Sequence, residues 1–318
     1  MRPTGKLHLG HLVGALENWV ALQHEFNNYH LIADYHALTT NLDSSRIYQN
    51  SIDMLIDWLA AGIDPTRSPV FRQSQIKEHT ELHLILSMLI TTARLERNPA
   101  VKEQVRDLNI ENVSYGHLGY PVLQAADILL YKGDLVPVGE DQVPHVEISR
   151  EIARRFNNQY GKVFSEPEPK LTKFARLPGL DGMDKKMSKS SGNTILLSDT
   201  PEEIQKKMRT AVTDPQKIRK NDPGRPEICL VYTYHKKFNA AEAPQIETDC
   251  RSGALGCVEC KNRIAAKVAA AMEPFRTKRA HYESHGDEVR DILADGEKRA
   301  RTRAQATMAE VRSAMALG

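Results

Sequence analysis

The sequence predicts an α/β fold in which a doubly wound parallel sheet, with helices on both faces, is followed by an all-helical C-terminal domain. The first observation is that helical segments alternate with short apolar, β-branched segments over residues 1–200. Such alternation is typical of a parallel sheet whose ligand site lies at the carboxyl ends of its strands. The second is that the apolar spacing after residue 200 is helical almost to the end. We therefore expect two domains, residues 1–200 and residues 201–318.

The predicted elements follow one another in this order along the chain. A helix begins near Gly10, and a buried strand at YHLIADYHALTT ends in polar residues, which place the end of that strand in a site loop. The next helix ends at the stop signals Gly62 and Pro65, and SPVFRQSQ is a second short strand. EHTELHLILSMLITTARLERN is a helix, and GYPVLQAADILLYKGDLVPVGEDQVPHVEISREIARRF predicts a helix, a short strand at LVPVG and a further helix.

The composition excludes several classes of protein. Of the 318 residues, 41% are hydrophobic and 26% are charged, which is near the average for globular domains. No apolar run approaches the roughly 20 residues that a membrane span requires, and Lys6, His8 and His11 interrupt any N-terminal signal sequence. The net charge of +2 argues against a surface covered with positive charge for nucleic-acid binding. We expect a cytoplasmic protein with no membrane partner.

The stretch HLGH places two histidines at the start of the first helix. His8 and His11 are three residues apart, so their side chains project from the same side of the first turn. The free N–H groups and the partial positive charge of a helix N-terminus favour a phosphate, to which imidazoles can also donate hydrogen bonds. By itself the stretch is more often an ordinary helix start with surface histidines.

A second stretch, KMSKS, covers Lys186 to Ser190 within the loop GLDGMDKKMSKSSGNT. Two lysines three residues apart, flanked by serines and a glycine, can form a mobile clamp that follows negative charge onto a leaving pyrophosphate. A loop rich in lysine and serine is usually a solvated surface loop. The pair HLGH and KMSKS, with an α/β pattern around the first stretch, is much more specific than either stretch alone.

The paired stretches resemble the two signature motifs of the class I aminoacyl-tRNA synthetases. Five stretches, RPTGKLHLGH, ADYHALT, GYPVLQAADILLY, VPVGEDQ and KKMSKSSGN, occur in the same order as in the bacterial tryptophanyl-tRNA synthetase family, and this similarity covers nearly the whole chain. The resemblance implies a Rossmann-type catalytic domain with a helical insertion at residues 1–200. It also implies a helical domain at residues 201–318 that binds the tRNA anticodon, and a homodimer.

A protein of this family is an ATP-dependent aminoacyl-tRNA ligase that works in two steps. The carboxylate of L-tryptophan attacks the α-phosphate of Mg-ATP, and the aminoacyl group then passes from the adenylate to a terminal ribose hydroxyl of tRNA(Trp). Neither step needs a protein nucleophile, because positioning and charge stabilisation supply the catalysis. Two alternatives remain open: a tyrosyl-tRNA synthetase, and a catalytically impaired relative that binds RNA and carries a metal cluster.

The resemblance also implies the residues that bind ATP. Lys186 and Lys189 grip the phosphates in the transition state, and they form the catalytic set together with His8 and His11. Gly10 has a backbone reason to be glycine, since a side chain there would block the approach of adenosine. The implied ATP-binding positions are Arg2, Pro3, Thr4, Gly10, His11, Gly139, Glu140, Asp141, Leu177, Lys186, Met187, Ser188, Lys189 and Ser190.

Asp127 is the candidate for recognition of the amino acid. It lies in the apolar helix VLQAADILLY, where an unpaired carboxylate is costly and an indole N–H is a suitable partner. A pocket built around such a hydrogen bond rejects an analogue that lacks it by about 10⁴- to 10⁵-fold, which would separate tryptophan from phenylalanine. By resemblance, Tyr120 and Gln142 hold the α-ammonium group.

His79 and His83, in HTELH, are four residues apart, as two zinc ligands on a helix would be. The glutamate does not occupy the position that H-E-x-x-H requires. We therefore predict that these histidines lie on a solvated helix face.

The four cysteines form the stronger metal-binding pattern. Cys229, Cys250, Cys257 and Cys260 follow C-x20-C-x6-C-x2-C, and four thiolates suit either a tetrahedral zinc ion or an iron–sulfur cluster. In a cytosolic chain such clustering indicates metal and not disulfides, and the alternative is a set of free, buried cysteines. Some bacterial tryptophanyl-tRNA synthetases are similar here and carry a 4Fe-4S cluster, so the resemblance favours that cluster over zinc.

The chain starts unusually close to the first motif. Members of the family normally have a short apolar strand and a turn of small residues before the arginine that corresponds to Arg2. We expect that this strand, the first of the sheet, is missing from the sequence because the start was assigned at an internal methionine.

Overall fold

The structure is a computed structural model that describes residues 1–107, 109–171, 177–189 and 191–317, with only the backbone of residue 141. The described residues form two compact units. The first contains residues 1–5, 18–171 and 285–317, and the second contains residues 6–17 and 177–284. No helix in these ranges has both the length and the apolar character to cross a membrane.

Helices and strands alternate through the first half of the chain and give way to helices after residue 200. The strands are β1 His30–Ile32, β2 Val70–Arg72, β3 Leu135–Val138 and β4 Glu168–Leu171. The helices are α1 Leu9–His11, α2 Glu17–Leu22, α3 Asp34–Leu38, α4 Ile47–Ala61, α5 Glu78–Ser87, α6 Thr92–Glu96, α7 Pro99–Asp107, α8 Tyr115–Leu118, α9 Tyr120–Leu129, α10 Val143–Tyr160, α11 Pro201–Thr210, α12 Leu230–Phe238, α13 Ala243–Ser252, α14 Cys257–Ala271, α15 Glu273–Ser284 and α16 Gly286–Ala314. A π-helical turn, Leu12–Leu16, joins α1 to α2, and short 3-10 turns lie at Gln73–Gln75, Glu140–Gln142 and Pro226–Ile228.

The strands pair in parallel, as the alternating pattern predicts. In one pair β1 lies beside β2, with His30 opposite Val70. In the other, β3 lies beside β4, with Leu135 opposite Glu168. The predicted fold class, a Rossmann-like α/β fold with a helical C-terminal region, is therefore confirmed. The sequence did not predict β4, because its residues EPKL include no β-branched or aromatic side chain.

The start of the chain lies beside β1. The amino group of Met1 donates to the Leu31 carbonyl at 2.7 Å, and the Ala33 N–H donates to the Met1 carbonyl at 2.9 Å. These two bonds place residues 1–5 against the carboxyl end of β1.

Two helix boundaries show how local chemistry sets the elements. Helix α4 ends where predicted, because Gly62 takes a left-handed conformation with φ of 109°, which is easily reached only by glycine. The helix predicted over EHTELHLILSMLITTARLERN is divided into α5 and α6. Thr91 begins the second part, since its hydroxyl accepts a hydrogen bond from the Arg94 N–H.

The core of the first unit lies between α5, α9, α10 and the C-terminal helix α16. Its side chains are almost all aliphatic or aromatic and are nearly inaccessible to solvent. Burial of such side chains is the main favourable contribution to folding. Its members include Phe71, Ile76, Leu82, Leu86, Val122, Ala126, Leu129, Ile148, Ile152, Phe156, Phe164, Ala300, Ala304, Met308 and Val311.

Helix α16 packs directly on β2. A Cβ atom added to Gly296 would lie only 2.0 Å from the Val70 carbonyl oxygen, so this crossing requires glycine. One residue further on, Glu297 is buried and pairs with the Arg72 guanidinium at 2.7 Å. The strand that ends at the candidate site is thus held by the last helix of the chain.

In the second unit, α11 packs against α14, and α12 packs against α13 and α14. Helix α11 begins with a reciprocal cap. The Thr200 hydroxyl accepts from the Glu203 N–H at 3.2 Å, and the Glu203 carboxylate accepts from the Thr200 N–H at 2.8 Å.

We expect the substitution Gly296→Ala to lower the free energy of unfolding by about 2–3 kcal/mol, because the new methyl group must displace α16 from β2. In an open helix the same change would stabilise the protein by up to about 1 kcal/mol. Urea unfolding followed by circular dichroism measures the difference. Gly116→Ala is the matched control, since a Cβ at Gly116 meets nothing within 4 Å. A Gly296→Ala variant as stable as the wild type would contradict the close packing.

Candidate active site

The carboxyl ends of β1 and β2 bring two polar side chains to Asp127. The chain after β1 enters α3, which carries His36, and the chain after β2 forms the turn that carries Gln73. His36 Nε2 lies 2.9 Å from Asp127 Oδ2, and Gln73 Nε2 donates to Asp127 Oδ1 at 2.7 Å. The parallel pairing thus assembles a polar cluster at one edge of the sheet.

A third partner of Asp127 comes from α5. The His79 side chain is fully buried, and its Nδ1 lies 2.7 Å from Asp127 Oδ1, although off the direction of a hydrogen bond. Its Nε2 lies 2.8 Å from the Tyr131 hydroxyl. The predicted solvated face is therefore wrong for His79. The signal was present, because His79 lies three and seven residues before the buried Leu82 and Leu86, in one helical stripe.

Asp127 carries its charge in a nearly buried position, since only 11% of its side chain is exposed. Burial acts to raise the pKa of this carboxyl group, but the contacts with His36 and His79 outweigh it and hold the pKa well below its ordinary value. The carboxylate is therefore ionised and paired at neutral pH. Sequence analysis identified Asp127 but none of its three partners.

Tyr120, the first residue of α9, lies in a second polar chain within the same unit. Its hydroxyl is 2.9 Å from His145 Nε2, and the Asn98 amide nitrogen is 3.4 Å from His145 Nδ1. All three side chains are buried, and burial raises the pKa of Tyr120 above its ordinary value. His145 and Asn98 were not predicted, because a single histidine or asparagine in a helical stretch has no sequence signal of its own.

The remaining candidates of the first unit lie on two short segments. Residues Gly139 to Gln142 form the 3-10 turn and its cap directly after β3, and the Gln142 N–H donates to the Gly139 carbonyl at 3.0 Å. Glu140 and Asp141 belong to this turn. At the start of the chain, the Thr4 N–H donates to the Arg2 carbonyl, Pro3 is buried, and Arg2 reaches Thr40 Oγ1 at 3.5 Å.

In the second unit, the chain before α1 pairs with the chain that follows KMSKS. The Leu9 N–H donates to the Ile195 carbonyl at 3.0 Å, and the Leu197 N–H donates to the Leu7 carbonyl at 2.9 Å. His8 forms an antiparallel bridge with Leu196 between these bonds. This short ladder brings the HLGH and KMSKS stretches together, although they are far apart in the sequence.

The two histidines of HLGH form an uncharged pair with their rings in contact and tilted by 37°. Their ring centres are 3.7 Å apart, and the His8 N–H donates to His11 Nδ1 at 3.2 Å. Burial, with Lys189 and Lys186 nearby, lowers the pKa of His8 to about 4. Burial and the neighbouring His8 lower that of His11 to about 3. Because Nδ1 of His11 accepts a bond, its Nε2 carries the proton and is a donor.

KMSKS is anchored by its methionine and presents its lysines to solvent. Met187 is buried, and its sulfur accepts a hydrogen bond from the Gly10 N–H at 3.2 Å. Lys186 and Lys189 are exposed, and the Lys189 ammonium donates to the Lys6 carbonyl at 3.1 Å. Ser190 lies outside the described residues.

Close packing explains Gly10 in this structure. A Cβ added there would lie 3.0 Å from the His8 ring and 3.3 Å from the Met187 sulfur. Leu177, a predicted adenine contact, is buried in the same unit.

Asn193 pins the KMSKS loop, and sequence analysis missed it. Its side-chain oxygen accepts from the Ser188 N–H at 2.8 Å, and its amide nitrogen donates to the Lys186 carbonyl at 3.0 Å and to Asp181 at 2.7 Å. Asn193 is 5% exposed, and a Cβ at Gly179 would lie 2.3 Å from its amide nitrogen. One side chain thus fixes both sides of Met187.

The four cysteines belong to the second unit and form no disulfide. Cys229 caps α12, and Cys257 is the first residue of α14. Burial raises the pKa of Cys260 to about 12, and the other three cysteines act in the same direction, so the four thiols are near neighbours. Among the described side chains, no three of these sulfurs lie within 4.8 Å of one another.

Comparison with known proteins decides the family. The family model described as tRNA synthetases class I (W and Y) matches residues 1–273. The chain belongs to this family of class I tRNA synthetases. It is similar to the tryptophan–tRNA ligase of Thermotoga maritima, with 47% identity over all of this chain and 98% of that protein. It is also similar to the tryptophan–tRNA ligase of Aquifex aeolicus, with 43% identity over all of this chain and 98% of that protein.

The fold of this class I tRNA synthetase is also similar to solved structures. The tryptophanyl-tRNA synthetase of Campylobacter jejuni, crystallised with ADP and tryptophan, matches all of this chain and 98% of its own with a TM-score of 0.89 and 34% identity. The expected family, inferred from HLGH, KMSKS and the three stretches between them, is thus confirmed.

We expect Asn193→Ala to lower kcat of ATP–pyrophosphate exchange by roughly 10- to 100-fold, since small displacements of charged groups have effects of this size. KM for the amino acid should stay near the wild-type value, because the side-chain hydrogen bonds of Asn193 go to the KMSKS loop and to Asp181. Ser191→Ala, at an exposed position of the same loop, is the control and should be neutral. An Asn193→Ala variant with normal kcat would show that the loop does not need this anchor.

Proposed function

We propose that this protein is a tryptophan–tRNA ligase, which activates L-tryptophan with Mg-ATP and transfers it to tRNA(Trp). The observation that carries the ligase reaction is the ladder between residues 7–9 and 195–197, because it places neutral histidines and exposed lysines in one region. The high identity to tryptophan–tRNA ligases over the whole chain supports tryptophan as the amino acid.

In the first step, a carboxylate oxygen of tryptophan attacks the α-phosphorus of ATP. The bond from that phosphorus to the bridging oxygen breaks, and pyrophosphate leaves with the electron pair and the negative charge. Lys186 and Lys189 are exposed on a pinned loop and stabilise that growing charge. Nε2–H of His11 is a neutral donor to a phosphate oxygen. Bound Mg²⁺ neutralises part of the charge on the phosphates that leave.

In the second step, a terminal ribose hydroxyl of tRNA attacks the carbonyl carbon of the adenylate. The bond from that carbon to the phosphate oxygen breaks, AMP leaves with the electron pair, and the hydroxyl proton passes to the departing phosphate or to water. The chain supplies positioning and charge stabilisation and no nucleophile. For the nucleotide we propose the family positions: Arg2, Pro3, Thr4, Gly10, Gly139, Glu140, Asp141, Leu177, Met187, Ser188 and Ser190, together with the two histidines and the two lysines.

For the amino acid, we propose that Asp127 accepts the indole N–H and that Tyr120 and Gln142 contact the ammonium group. The ionised, nearly buried carboxylate supports this role, because it is a strong acceptor in a pocket with little water. A substrate without an N–H would leave that acceptor unsatisfied, which is the strongest form of discrimination available to such a pocket.

Tryptophan-dependent ATP–pyrophosphate exchange tests this function. The wild type should exchange with tryptophan and not with tyrosine or phenylalanine. Asp127→Asn should lower kcat/KM for tryptophan by roughly 10- to 100-fold, the size of a lost hydrogen bond to a charged group. Asp134→Asn, at an exposed position, should have no effect.

Two results would point to the alternatives. Exchange that depends on tyrosine would indicate a tyrosyl-tRNA synthetase. Binding of tRNA without any exchange would indicate an impaired, RNA-binding relative.

We further propose that Cys229, Cys250, Cys257 and Cys260 hold a 4Fe-4S cluster, with zinc as the alternative. The residues fit such a group. Two of the cysteines lie at helix N-termini, which favour thiolates. A Cβ at Gly224 would lie 2.5 Å from the Cys250 sulfur, so only glycine leaves room there for this thiol. The resemblance to cluster-bearing members of the family is the reason for preferring the cluster to zinc.

Protein purified without oxygen should contain about four iron atoms and four acid-labile sulfides per chain, and the double variant Cys257→Ser/Cys260→Ser should contain neither. Elemental and sulfide analysis measures both. One zinc ion per chain without sulfide would select the alternative. We propose a structural or tRNA-reading role for the group, and iron removal that left both the fold and tRNA charging intact would contradict it.

The partners follow from the same proposal. Helical residues 201–318 are proposed to read the tRNA anticodon. A homodimer is supported by apolar side chains on the surface of the first unit, since α5 and its end expose Leu84 and Met88, and α8 exposes Tyr115. Because tRNA charging serves protein synthesis, we propose that the protein is located in the cytoplasm.

A further inference from the structure

The Asp127 carboxylate is nearly saturated with protein partners. Its Oδ1 atom contacts Gln73 and His79, and its Oδ2 atom contacts His36. A carboxylate offers about four acceptor positions. The three protein contacts therefore leave about one position for a substrate donor.

His79, like Gln73, has no exposed surface, whereas 8% of His36 is exposed. A ligand in the pocket cannot touch it, so any effect of His79 on a substrate passes through Asp127. Its ring is fixed from the far side by Tyr131, whose hydroxyl lies 2.8 Å from Nε2. The Tyr131 ring itself packs against the rings of Tyr29 and Phe71, with ring centres 4.8 and 5.0 Å away.

The Asp127 carboxylate and the Tyr131 hydroxyl together determine which imidazole nitrogen serves as the donor. Asp127 Oδ1 can only accept, so Nδ1 of His79, 2.7 Å away, is the nitrogen that faces it with a hydrogen. Burial raises the pKa of Tyr131 far above its ordinary value, so its hydroxyl keeps its proton and is available as a donor to Nε2 at 2.8 Å.

We propose that His79, held in this tautomer by Tyr131, is a positioning residue that fixes the Asp127 carboxylate for the indole N–H of tryptophan. This inference rests on the proposed role of Asp127. Without the His79 contact, the carboxylate can rotate about its χ2 bond and turn its remaining acceptor position away from the substrate. Affinity is then lost for ligands that donate a hydrogen bond to Asp127, and it is kept for ligands that only fill the pocket.

The test compares tryptophan with 3-(benzothiophen-3-yl)alanine, which has the same shape but sulfur in place of the N–H. The KM for tryptophan and the Ki of the analogue, as a competitor in pyrophosphate exchange, are measured for the wild type and three variants. His79→Gln places its amide near the position of Nε2 and loses the Asp127 contact. His79→Asn places its amide near the position of Nδ1 and keeps it. Tyr131→Phe removes only the hydroxyl.

We expect His79→Gln to raise the KM for tryptophan roughly tenfold or more, with kcat and the Ki of the analogue near their wild-type values. His79→Asn should restore much of the tryptophan affinity. Tyr131→Phe should raise the KM for tryptophan, but by less than His79→Gln does. Far-UV circular dichroism and thermal unfolding confirm that each variant is folded. If His79→Gln does not fold, the KM for tryptophan and the Ki of the analogue in Tyr131→Phe test the proposal on their own.

Equal losses for tryptophan and the analogue would show that His79 only supports the pocket, and an unchanged KM for tryptophan would overturn the proposal outright. The wild type separates this failure from that of the proposed function. A wild-type protein that binds the analogue as tightly as tryptophan would show that Asp127 does not recognise the indole N–H. A wild-type preference that survives His79→Gln unchanged would refute the positioning role alone.

Discussion

The first unit is organised around a charge that must be paired inside the protein. Asp127 lies on the apolar helix α9, and an isolated carboxylate in such a place costs several kcal/mol. Its partners come from α3, from the turn after β2 and from α5. All of these elements, with the parallel pair β1–β2 between them, must be placed correctly before the charge is compensated. The pairing therefore ties the order of the fold to the geometry of the site.

Strand β2, which directly precedes Gln73, is held in place by the C-terminal helix α16. Gln73 follows β2, and β2 is covered by α16 through the contact of Gly296 with Val70 and the buried pair of Glu297 with Arg72. Helical spacing predicts that residues 286–314 form a helix, but it carries no information on the surface that this helix covers. Only the close approach at Gly296 reveals it, since glycine in the interior of a long helix is otherwise unfavourable.

Sequence analysis succeeded where a residue has a pattern of its own. The strands at YHLIADYHALTT and SPVFRQSQ, the stop at Gly62 and the motifs HLGH and KMSKS all depend on local spacing, and the structure contains each element. It failed where a polar residue matters through a distant partner. Helical spacing with Leu82 and Leu86 does indicate that His79 is buried, but its partner Asp127, like Lys186 as a partner of Asn193, is recognisable only after the chain has folded.

The side chains around Asp127 are held more rigidly than the lysines of KMSKS, and this difference matches the chemistry proposed for each group. Around Asp127, buried rings and amides hold one carboxylate in place, which suits discrimination between amino acids, because a fixed acceptor penalises every ligand without a matching donor. Among the described residues of KMSKS, Met187 is buried and Ser188 is bonded to Asn193, while the two lysine side chains are exposed. A reaction that moves negative charge onto pyrophosphate needs cations that can follow it. Catalysis depends on binding that is stronger in the transition state than in the ground state, and exposed lysines on a loop held at its centre by Met187 and Asn193 are suited to it.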